Sequence, residues 1–246
     1  MTPHSEISTE HQGRVQWVLH RWSDWTSWLI FSILVIPSMM LSRPGWVAAD
    51  TKIYLYLDPW RLLVSAQSMW NPNIDMGGVT HQNIGYLFPM GPFFWFVQAV
   101  GIPMWVGERL WTSALFLLAA GGVLYVGRLL GLNAIGRFVG ALLYMLSPFV
   151  LDYMGRSSAL LMPWAGFGWM VGFTILAVRK GGWRYPALFA LVVATVGGIN
   201  ATAIIMAAPG PILWVLYVGI IKEAPWKDIW RASYRIALLS LFVSTW

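Results

Sequence analysis

Long apolar runs alternate with short polar segments along most of the chain, after a polar stretch over residues 1–24. The longer runs approach the roughly 20 residues that an α-helix needs to cross a ~30 Å hydrocarbon core. No small-residue cleavage site follows the first run, so we expect it to be a retained transmembrane helix rather than a signal peptide. The pattern therefore predicts an all-α polytopic membrane protein. The runs are Trp25–Leu41, Tyr86–Gly101, Leu110–Leu130, Phe138–Tyr153, Ala159–Val178, Pro186–Ala203, Ile204–Ile221 and Ile236–Trp246.

The run Tyr86–Gly101 is a poor membrane-spanning helix. It contains Pro89 and Pro92, and proline removes a helical hydrogen bond and clashes with the preceding turn. We expect a re-entrant or interfacial helix over Pro92–Val100 instead. The remaining runs give a helical bundle of about seven spans. A long first extracytoplasmic loop, residues 42–107, would carry the interfacial helices.

Two later features concern the end of the bundle. Gly197–Asn200 and Pro209–Pro211 predict helices that are broken near the outer surface, which is tolerated where the backbone is buried or lines a cavity. The last run, Ile236–Trp246, is too short to span the bilayer. We therefore expect residues 25–246 to form the N-terminal part of a longer transmembrane domain.

Composition excludes several classes of protein. Apolar residues make up 58% of the chain and charged residues 11%, whereas about a quarter of the residues of a soluble domain are charged. The 17 Trp fit the aromatic belts of membrane interfaces. The absence of Cys excludes disulfides, thiolate metal sites and cysteine nucleophiles. The net charge of +6 comes from short loops, so we expect no nucleic-acid partner.

Lysine and arginine positions predict the orientation, because cytoplasmic loops carry an excess of these residues. If residues 1–24 are cytoplasmic and Tyr86–Gly101 does not cross, eleven of the 16 basic residues lie inside and five outside. If that run crosses, most of the basic loops move outside. We therefore predict a multi-pass cell-membrane protein with a cytoplasmic N-terminus. The inside set is Arg14, Arg21, Arg128, Arg137, Arg179, Lys180, Arg184, Lys222, Lys227, Arg231 and Arg235, and the outside set is Arg43, Lys52, Arg61, Arg109 and Arg156.

The first loop is the natural place for chemistry, because ionisable groups are rare in membrane chains and cluster here. Asp50 follows the first apolar run closely, and Lys52 comes two residues later. A carboxylate at the outer interface can act as a general base toward a hydroxyl, and a neighbouring cation can stabilise an anionic leaving group. The alternative for Asp50 is a helix N-cap or an interfacial acid.

Asp58 has a different signature. It precedes Pro59 and an amphipathic stretch, which is typical of an N-cap followed by proline at the first helical position. Arg61 falls in the first turn of that helix. It could bind a phosphate or extend toward lipid head groups.

A polar segment over residues 71–83 is rich in hydrogen-bonding groups and in turn-forming residues. It suits the recognition of sugar hydroxyls, with Gly77 and Gly78 allowing close approach of the backbone. A solvated loop is the alternative. His81 has no second His near it and no metal-ligand spacing around it, so a zinc site is not expected. The candidates for acceptor or sugar binding are Asp75, His81, Gln82 and Asn83.

Arg156 lies in a predicted outer turn just ahead of Ser157 and Ser158, which can cap the next helix. A helix N-terminus beside an arginine is a plausible site for an anion. The alternative is an interfacial arginine that meets lipid head groups.

Several stretches, from about Trp46 to Ala203, resemble the mycobacterial α-(1→3)-arabinofuranosyltransferases. The more specific ones are Asp50–Lys52 and the Gly-Tyr-Leu-Phe-Pro sequence within Gln82–Pro89. The others are Asp58–Arg61, Ser68–Asn71, Glu108–Trp111, Leu146–Pro148 and Gly197–Asn200.

The resemblance implies a glycosyltransferase of the GT-C type. Such an enzyme moves arabinofuranose from a decaprenyl-phosphate-linked donor to cell-envelope arabinan on the extracytoplasmic side. It implies that Asp50 is the catalytic base. The candidates for binding the donor phosphate, from the residue chemistry above, are Lys52, Arg61 and Arg156. The expected partners are a polyprenyl-phosphate-linked donor, a glycan acceptor and membrane lipids. No cofactor is implied, and a divalent cation is left open.

Two other functions fit a membrane chain of this kind. A transporter or flippase for a lipid-linked glycan would place its ionisable residues inside the spans near the midplane. A scaffold needs no active loop. The charges of this sequence gather at the ends of the apolar runs, which favours the enzyme over the transporter.

Overall fold

The computed structural model describes residues 23–48, 53–68, 70–72, 76–79, 87–154, 158–197 and 201–244. Within them the fold is almost entirely helical. The helices are α1 Asp24–Leu41, α2 Tyr54–Leu57, α3 Pro59–Ser65, α4 Met90–Ala99, α5 Met104–Leu129, α6 Ala134–Met145, α7 Pro148–Tyr153, α8 Ser158–Lys180, α9 Arg184–Val196, α10 Ala201–Ala207, α11 Pro209–Ile220 and α12 Trp226–Val243. The strands are β1 Trp70–Asn71 and β2 Gly78–Val79.

Four stretches of helix are long and apolar enough to cross a membrane in the part of the chain that the structure describes. They are α1, α5, α6 continued by α7, and α8. Arg184–Val196 and Ile204–Ile220 are apolar but shorter. The predicted all-α membrane bundle is thus confirmed in class, while the number of seven spans stays a prediction.

The run that sequence analysis separated from the spans forms α4, Met90–Ala99. The helix begins two residues earlier than expected. Its 10 residues rise about 15 Å, half of the ~30 Å core. This length agrees with a helix that does not cross.

The core of the bundle lies between α5 and α8, which run parallel: Phe116 packs against Trp164, and further along both helices Arg179 donates to the carbonyl oxygen of Leu129. Gly122 and Gly168 face each other where these helices cross: a Cβ at Gly168 would lie 2.6 Å from the carbonyl carbon of Gly122. The two backbones therefore approach more closely than any side chain would allow. Phe116, Leu124, Leu161 and Ala165 are buried around this crossing.

The helices of the first loop pack against the start of α5. The Tyr56 ring meets Phe94 of α4 edge-on at 5.0 Å, and Phe94 lies 6.1 Å from the Trp111 ring of α5. Leu55 and Leu62 are buried in the same cluster. Residues 53–65 are thus joined to the membrane bundle by an apolar contact.

A two-stranded antiparallel ladder, which sequence analysis did not predict, pairs Trp70 with Val79 and Asn71 with Gly78. A Cβ at Gly77, where φ is +105°, would lie 2.2 Å from the Trp70 ring. Glycine is therefore required there both by the backbone and by the packed ring. In the structure the space beside Gly77 is filled by the Trp70 ring, and the predicted approach of this backbone to a sugar stays a prediction.

One predicted boundary was wrong, and one predicted break agrees with the structure. The last helix begins at Trp226 rather than Ile236, because its first half is amphipathic, with Ile229 and Ala232 buried, and a search for apolar runs misses such a face. The run Pro186–Ala203 is interrupted where Gly197–Asn200 predicted a break, since α9 ends at Val196.

Candidate active site

The first turns of α5 hold a buried carboxylate. The helix begins at Met104 after Pro103, which places Glu108 in its second turn beside the segment that leaves α1. Glu108 is only 5% exposed. The backbone N–H of Ala48 donates to both of its carboxylate oxygens, at 3.1 and 3.2 Å. A side chain of α5 thus binds the backbone two positions before Asp50.

The next residue, Arg109, binds carbonyl oxygens of the same segment. Its Nη2 donates to the carbonyl oxygens of Trp46 at 3.2 Å and Ser42 at 3.4 Å. Its Nη1 donates to Glu108 Oε2 at 3.3 Å. We call these two side chains, with the backbone groups that they bind, the Glu108–Arg109 clamp. It fixes the chain over residues 42–48 on both its N–H and C=O sides.

The segment that contains Asp50 and Lys52 lies outside the described residues, but both of its neighbours are anchored. Ala48 is bound by the clamp. On the other side, Leu55 and Tyr56 of α2 are buried against the α4 cluster. The described residues on both sides of 49–52 are therefore held against α4 and α5.

Of the two carboxyl groups that sequence analysis compared, Asp58 lies among the described residues. Asp58 Oδ1 accepts a hydrogen bond from the backbone N–H of Arg61 at 2.9 Å, and Pro59 is the first residue of α3. The predicted N-cap is confirmed. The Arg61 side chain is exposed, so it is available to an anion at the surface. The remaining predicted site residues, Asp75, His81, Gln82, Asn83 and Arg156, lie outside the described residues.

An apolar cavity of about 280 Å³ opens between α6, α7, α8 and α10. It lies where α6 ends and α8 begins. This is the same end of the bundle as the clamp, because α5 and α8 both run antiparallel to α6. Its lining residues are Tyr144, Phe149, Leu160, Pro163, Trp164, Phe167, Met206 and Ala207. Among the described residues, no cluster of three or more His, Asp or Glu side chains could hold a metal ion.

Basic residues gather at the opposite end of the bundle. Arg137 of α6 donates to Asp24 of α1 at 2.8 Å, and Arg128 of α5 contacts the same carboxylate. Arg179 of α8 donates to the carbonyl oxygen of Leu129 at 2.9 Å. These contacts bring together the starts of α1 and α6 with the ends of α5 and α8, which we call the basic end. The other end, with the clamp, is the loop end.

Comparison with known proteins identifies the family. Residues 34–246 match the model of the α-(1→3)-arabinofuranosyltransferase N-terminal GT-C domain. The chain belongs to this family. It is a family of membrane glycosyltransferases, and the suspected resemblance is confirmed.

Individual relatives agree with the family match. The α-(1→3)-arabinofuranosyltransferase of Mycobacterium tuberculosis (strain ATCC 25618 / H37Rv) is 35% identical over 193 residues, 76% of this chain and 14% of the relative. That of Mycolicibacterium smegmatis (strain ATCC 700084 / mc(2)155) is 35% identical over 176 residues, 70% of this chain and 12% of the relative. The chain therefore spans about one seventh of the length of these curated relatives.

Solved structures show the same fold. The cryo-EM structure of arabinofuranosyltransferase AftD from Mycobacteria aligns with a TM-score of 0.78 at 29% identity, covering 89% of this chain and 16% of that one. A mutant form of AftD aligns with a TM-score of 0.77 at 28% identity, with 89% and 17% covered.

Sequence analysis gave Glu108 no role and placed the loop boundary at residue 107. The signal was present, because an acid in the first turns of a long apolar helix is costly and is rarely kept without a partner. Its partner is a backbone amide 60 positions away, which no local pattern reveals.

Proposed function

We propose that this chain forms the catalytic loop and the first helices of an enzyme that transfers arabinofuranose from a polyprenyl-phosphate-linked donor, of the decaprenyl type. The acceptor is arabinan of the cell envelope, and the reaction takes place on the extracytoplasmic side. The observation that carries this proposal is the family match over residues 34–246. The relatives that bear the activity in their names are much longer, so the proposal concerns the whole enzyme.

The proposed reaction is an inverting transfer with Asp50 as general base. Asp50 takes the proton of the acceptor hydroxyl, whose oxygen forms a bond to the anomeric carbon of the donor sugar. The bond between that carbon and the phosphate oxygen breaks, and polyprenyl phosphate leaves with the electron pair. Lys52, Arg61 and Arg156 stabilise the departing negative charge. Arg61 is exposed in the structure, which agrees with this role.

Acceptor binding is assigned to the polar segment of the first loop. Asp75, His81, Gln82 and Asn83 supply donors and acceptors for sugar hydroxyls. The hairpin formed by β1 and β2 holds the chain on either side of Asp75. The pairing therefore holds together the two stretches of chain that flank Asp75.

The apolar cavity supports a lipid-linked donor. It lies at the loop end, and its lining is almost wholly apolar and aromatic, so it can accommodate a polyprenyl chain without burying unpaired polar groups. The charged head of the same donor would then meet the cations of the loop end.

A transporter is disfavoured by the positions of the charges. In the described spans, Asp, Glu, Lys and Arg side chains lie close to helix ends: Asp24, Glu108, Arg109, Arg128, Arg137, Asp152, Arg179 and Lys180. A transport site near the midplane would need ionisable groups at half depth.

The orientation is tested by cysteine labelling. We expect residues 1–24 and 222–235 to be cytoplasmic and residues 42–107 extracytoplasmic, because the basic end carries the excess of positive charge. The chain has no Cys, so Ser65→Cys and Ser233→Cys each introduce a single thiol. An impermeant maleimide should label the first from outside intact cells and the second only after permeabilisation. Labelling of both from one side would contradict the orientation.

The catalytic assignment is tested with Asp50→Asn in the full-length gene product. Asparagine keeps the size of the side chain and its capping ability but removes its basicity. A general base contributes about 10²–10⁴-fold, so kcat for arabinofuranosyl transfer should fall by that factor while donor binding persists. The matched control is Asp58→Asn, because asparagine caps α3 as well as aspartate does. Normal turnover in Asp50→Asn would move the base to another residue, with Asp75 the next candidate.

A further inference from the structure

We propose that Glu108 is a positioning residue for the catalytic base, acting through the backbone of Ala48. This inference rests on the proposed function, since it assigns to Glu108 the task of holding Asp50 at the reacting atoms. It concerns a residue that takes no part in the chemistry itself.

The first argument is the cost of the buried charge. The side chain of Glu108 is 7% exposed, and that of its ionic partner Arg109 is 14% exposed. Removing two charges from water is expensive, and the gain of their attraction often does not exceed this cost. Stability alone is therefore a weak reason for a buried ion pair at this place in the chain.

The second argument is the direction of the carboxylate. A glutamate near the start of a helix is usually favourable because of the helix dipole and the free N–H groups of the first turn. Glu108 instead directs both oxygens to the N–H of Ala48, at 3.1 and 3.2 Å and 60 positions earlier. A dipole interaction requires no such partner. The bond ties a rigid helix to one particular point of the loop.

The third argument is the short distance along the chain. Two residues of extended chain span at most about 7 Å, so the Cα of Asp50 stays within that distance of the Cα of Ala48. Arg109 fixes the carbonyl oxygens of Ser42 and Trp46 in the same segment. The path of the chain up to Ala48 is thus held on both edges, which restricts where Asp50 can be presented.

The consequence for the reaction is kinetic. Misplacing a catalytic group by about 1 Å costs on the order of 10²-fold in rate. Loss of the bond to Ala48 should therefore lower kcat, while KM for the donor changes little because donor groups are not removed.

The test is a double-mutant cycle in the full-length gene product, with purified polyprenyl-phosphate arabinofuranose as donor and an arabinan oligosaccharide as acceptor. Glu108→Ala removes the acceptor of the Ala48 N–H, and we expect kcat to fall by about 10²-fold with KM for the donor within about threefold. Glu108→Gln keeps an oxygen that can accept this bond, and it should recover a large part of the rate. If Glu108 acts through Asp50, Glu108→Ala should cause no further loss in an Asp50→Asn enzyme.

Two outcomes would overturn the inference, and they are distinguishable. If Asp50→Asn is slow and Glu108→Ala slows it by the same factor as it slows the wild type, Glu108 acts independently of the base and the inference is wrong while the proposed function stands. If Asp50→Asn turns over normally, the base assignment is wrong and the inference falls with it.

Control variants separate positioning from folding. Asp24→Ala removes a carboxylate of similar burial at the basic end, and we expect its kcat and KM to match the wild type. If Glu108→Ala does not fold, as shown by its thermal unfolding, the cycle is run with Glu108→Gln. Any rate loss of that variant must then disappear in the Asp50→Asn enzyme, and its persistence there would overturn the inference.

Discussion

The two ends of α5 use the same chemistry for different purposes. At the loop end, Glu108 and Arg109 bind backbone groups of the non-helical segment 42–48. At the basic end, Arg128 and Arg137 bind the side chain of Asp24 on another helix. Side-chain pairs can lock two helix ends together, whereas bonds to backbone groups fix the path of a chain. The comparison indicates that the loop end fixes the backbone of residues 42–48, whereas the basic end joins α1 to α5 and α6.

Each end holds one largely buried ion pair. The side chains of Glu108 and Arg109 are 7% and 14% exposed, and those of Asp24 and Arg137 are 12% and 15% exposed, whereas Arg128, the second partner of Asp24, is 62% exposed. Exposed pairs are screened and contribute little, while breaking a buried pair leaves a charge without compensation. Breaking either buried pair should therefore lower stability, and because only the loop end binds the chain two positions before Asp50, we expect changes there to affect catalysis as well.

The largest effect should come from the middle of α5, because both ends depend on its position. In Gly168→Val, the new Cβ would lie 2.6 Å from the carbonyl carbon of Gly122, and backbone cannot move aside as a flexible side chain can. Overpacking costs about 1–3 kcal/mol and occasionally more, and we expect at least the upper end of this range. Thermal unfolding in detergent, together with transfer activity, should show both ends damaged at once.

The matched control is Gly140→Ala. A Cβ at Gly140 would meet only the Cγ1 of Val123, at 3.8 Å, which is an ordinary contact. Alanine in a helix is favoured over glycine by up to about 1 kcal/mol, so this variant should be as stable as the wild type or slightly more stable. A Gly168→Val protein with normal unfolding would show that α5 and α8 can separate, and the two ends would then not share a rigid connection.

Sequence patterns predicted the parts of this fold that depend on local periodicity. The apolar runs located both ends of α1 and α8 to within two residues and the end of α5 to within one, although α5 begins six residues before its run; the Asp58–Pro59 pair predicted the cap of α3. These features depend on neighbouring residues only. The amphipathic start of α12 was missed because a face of Ile229 and Ala232 does not form an apolar run.

The candidate site was predicted less completely, for a physical reason. The polar segment and the family resemblance pointed to Asp50, and the structure adds what holds the chain before it. The clamp joins residues 60 positions apart through backbone groups, and a backbone N–H has no signature in the sequence. Sequence analysis likewise gave Asp24 no partner, while the structure places it in the first turn of α1 with two arginine partners.

Asp24→Ala should lower stability less than Gly168→Val does, and it is the sharper test of the comparison between the two ends. The Asp24 side chain is 12% exposed, and Arg137, which is 15% exposed, loses its carboxylate partner in this variant. Leaving a largely buried polar group without its partner costs about 1–3 kcal/mol, so the midpoint of thermal unfolding should fall measurably. The control is Asp228→Ala, because its pair with Arg231 is 3.7 Å long and its side chain is 46% exposed; such pairs contribute about 0–1 kcal/mol. The rate of transfer by the folded Asp24→Ala enzyme should stay within about twofold of the wild type, since α5 still presents Glu108 to Ala48. A loss of kcat comparable with that of Glu108→Ala would show that the basic end controls the loop end through α5, and the division of roles between the two ends would be wrong.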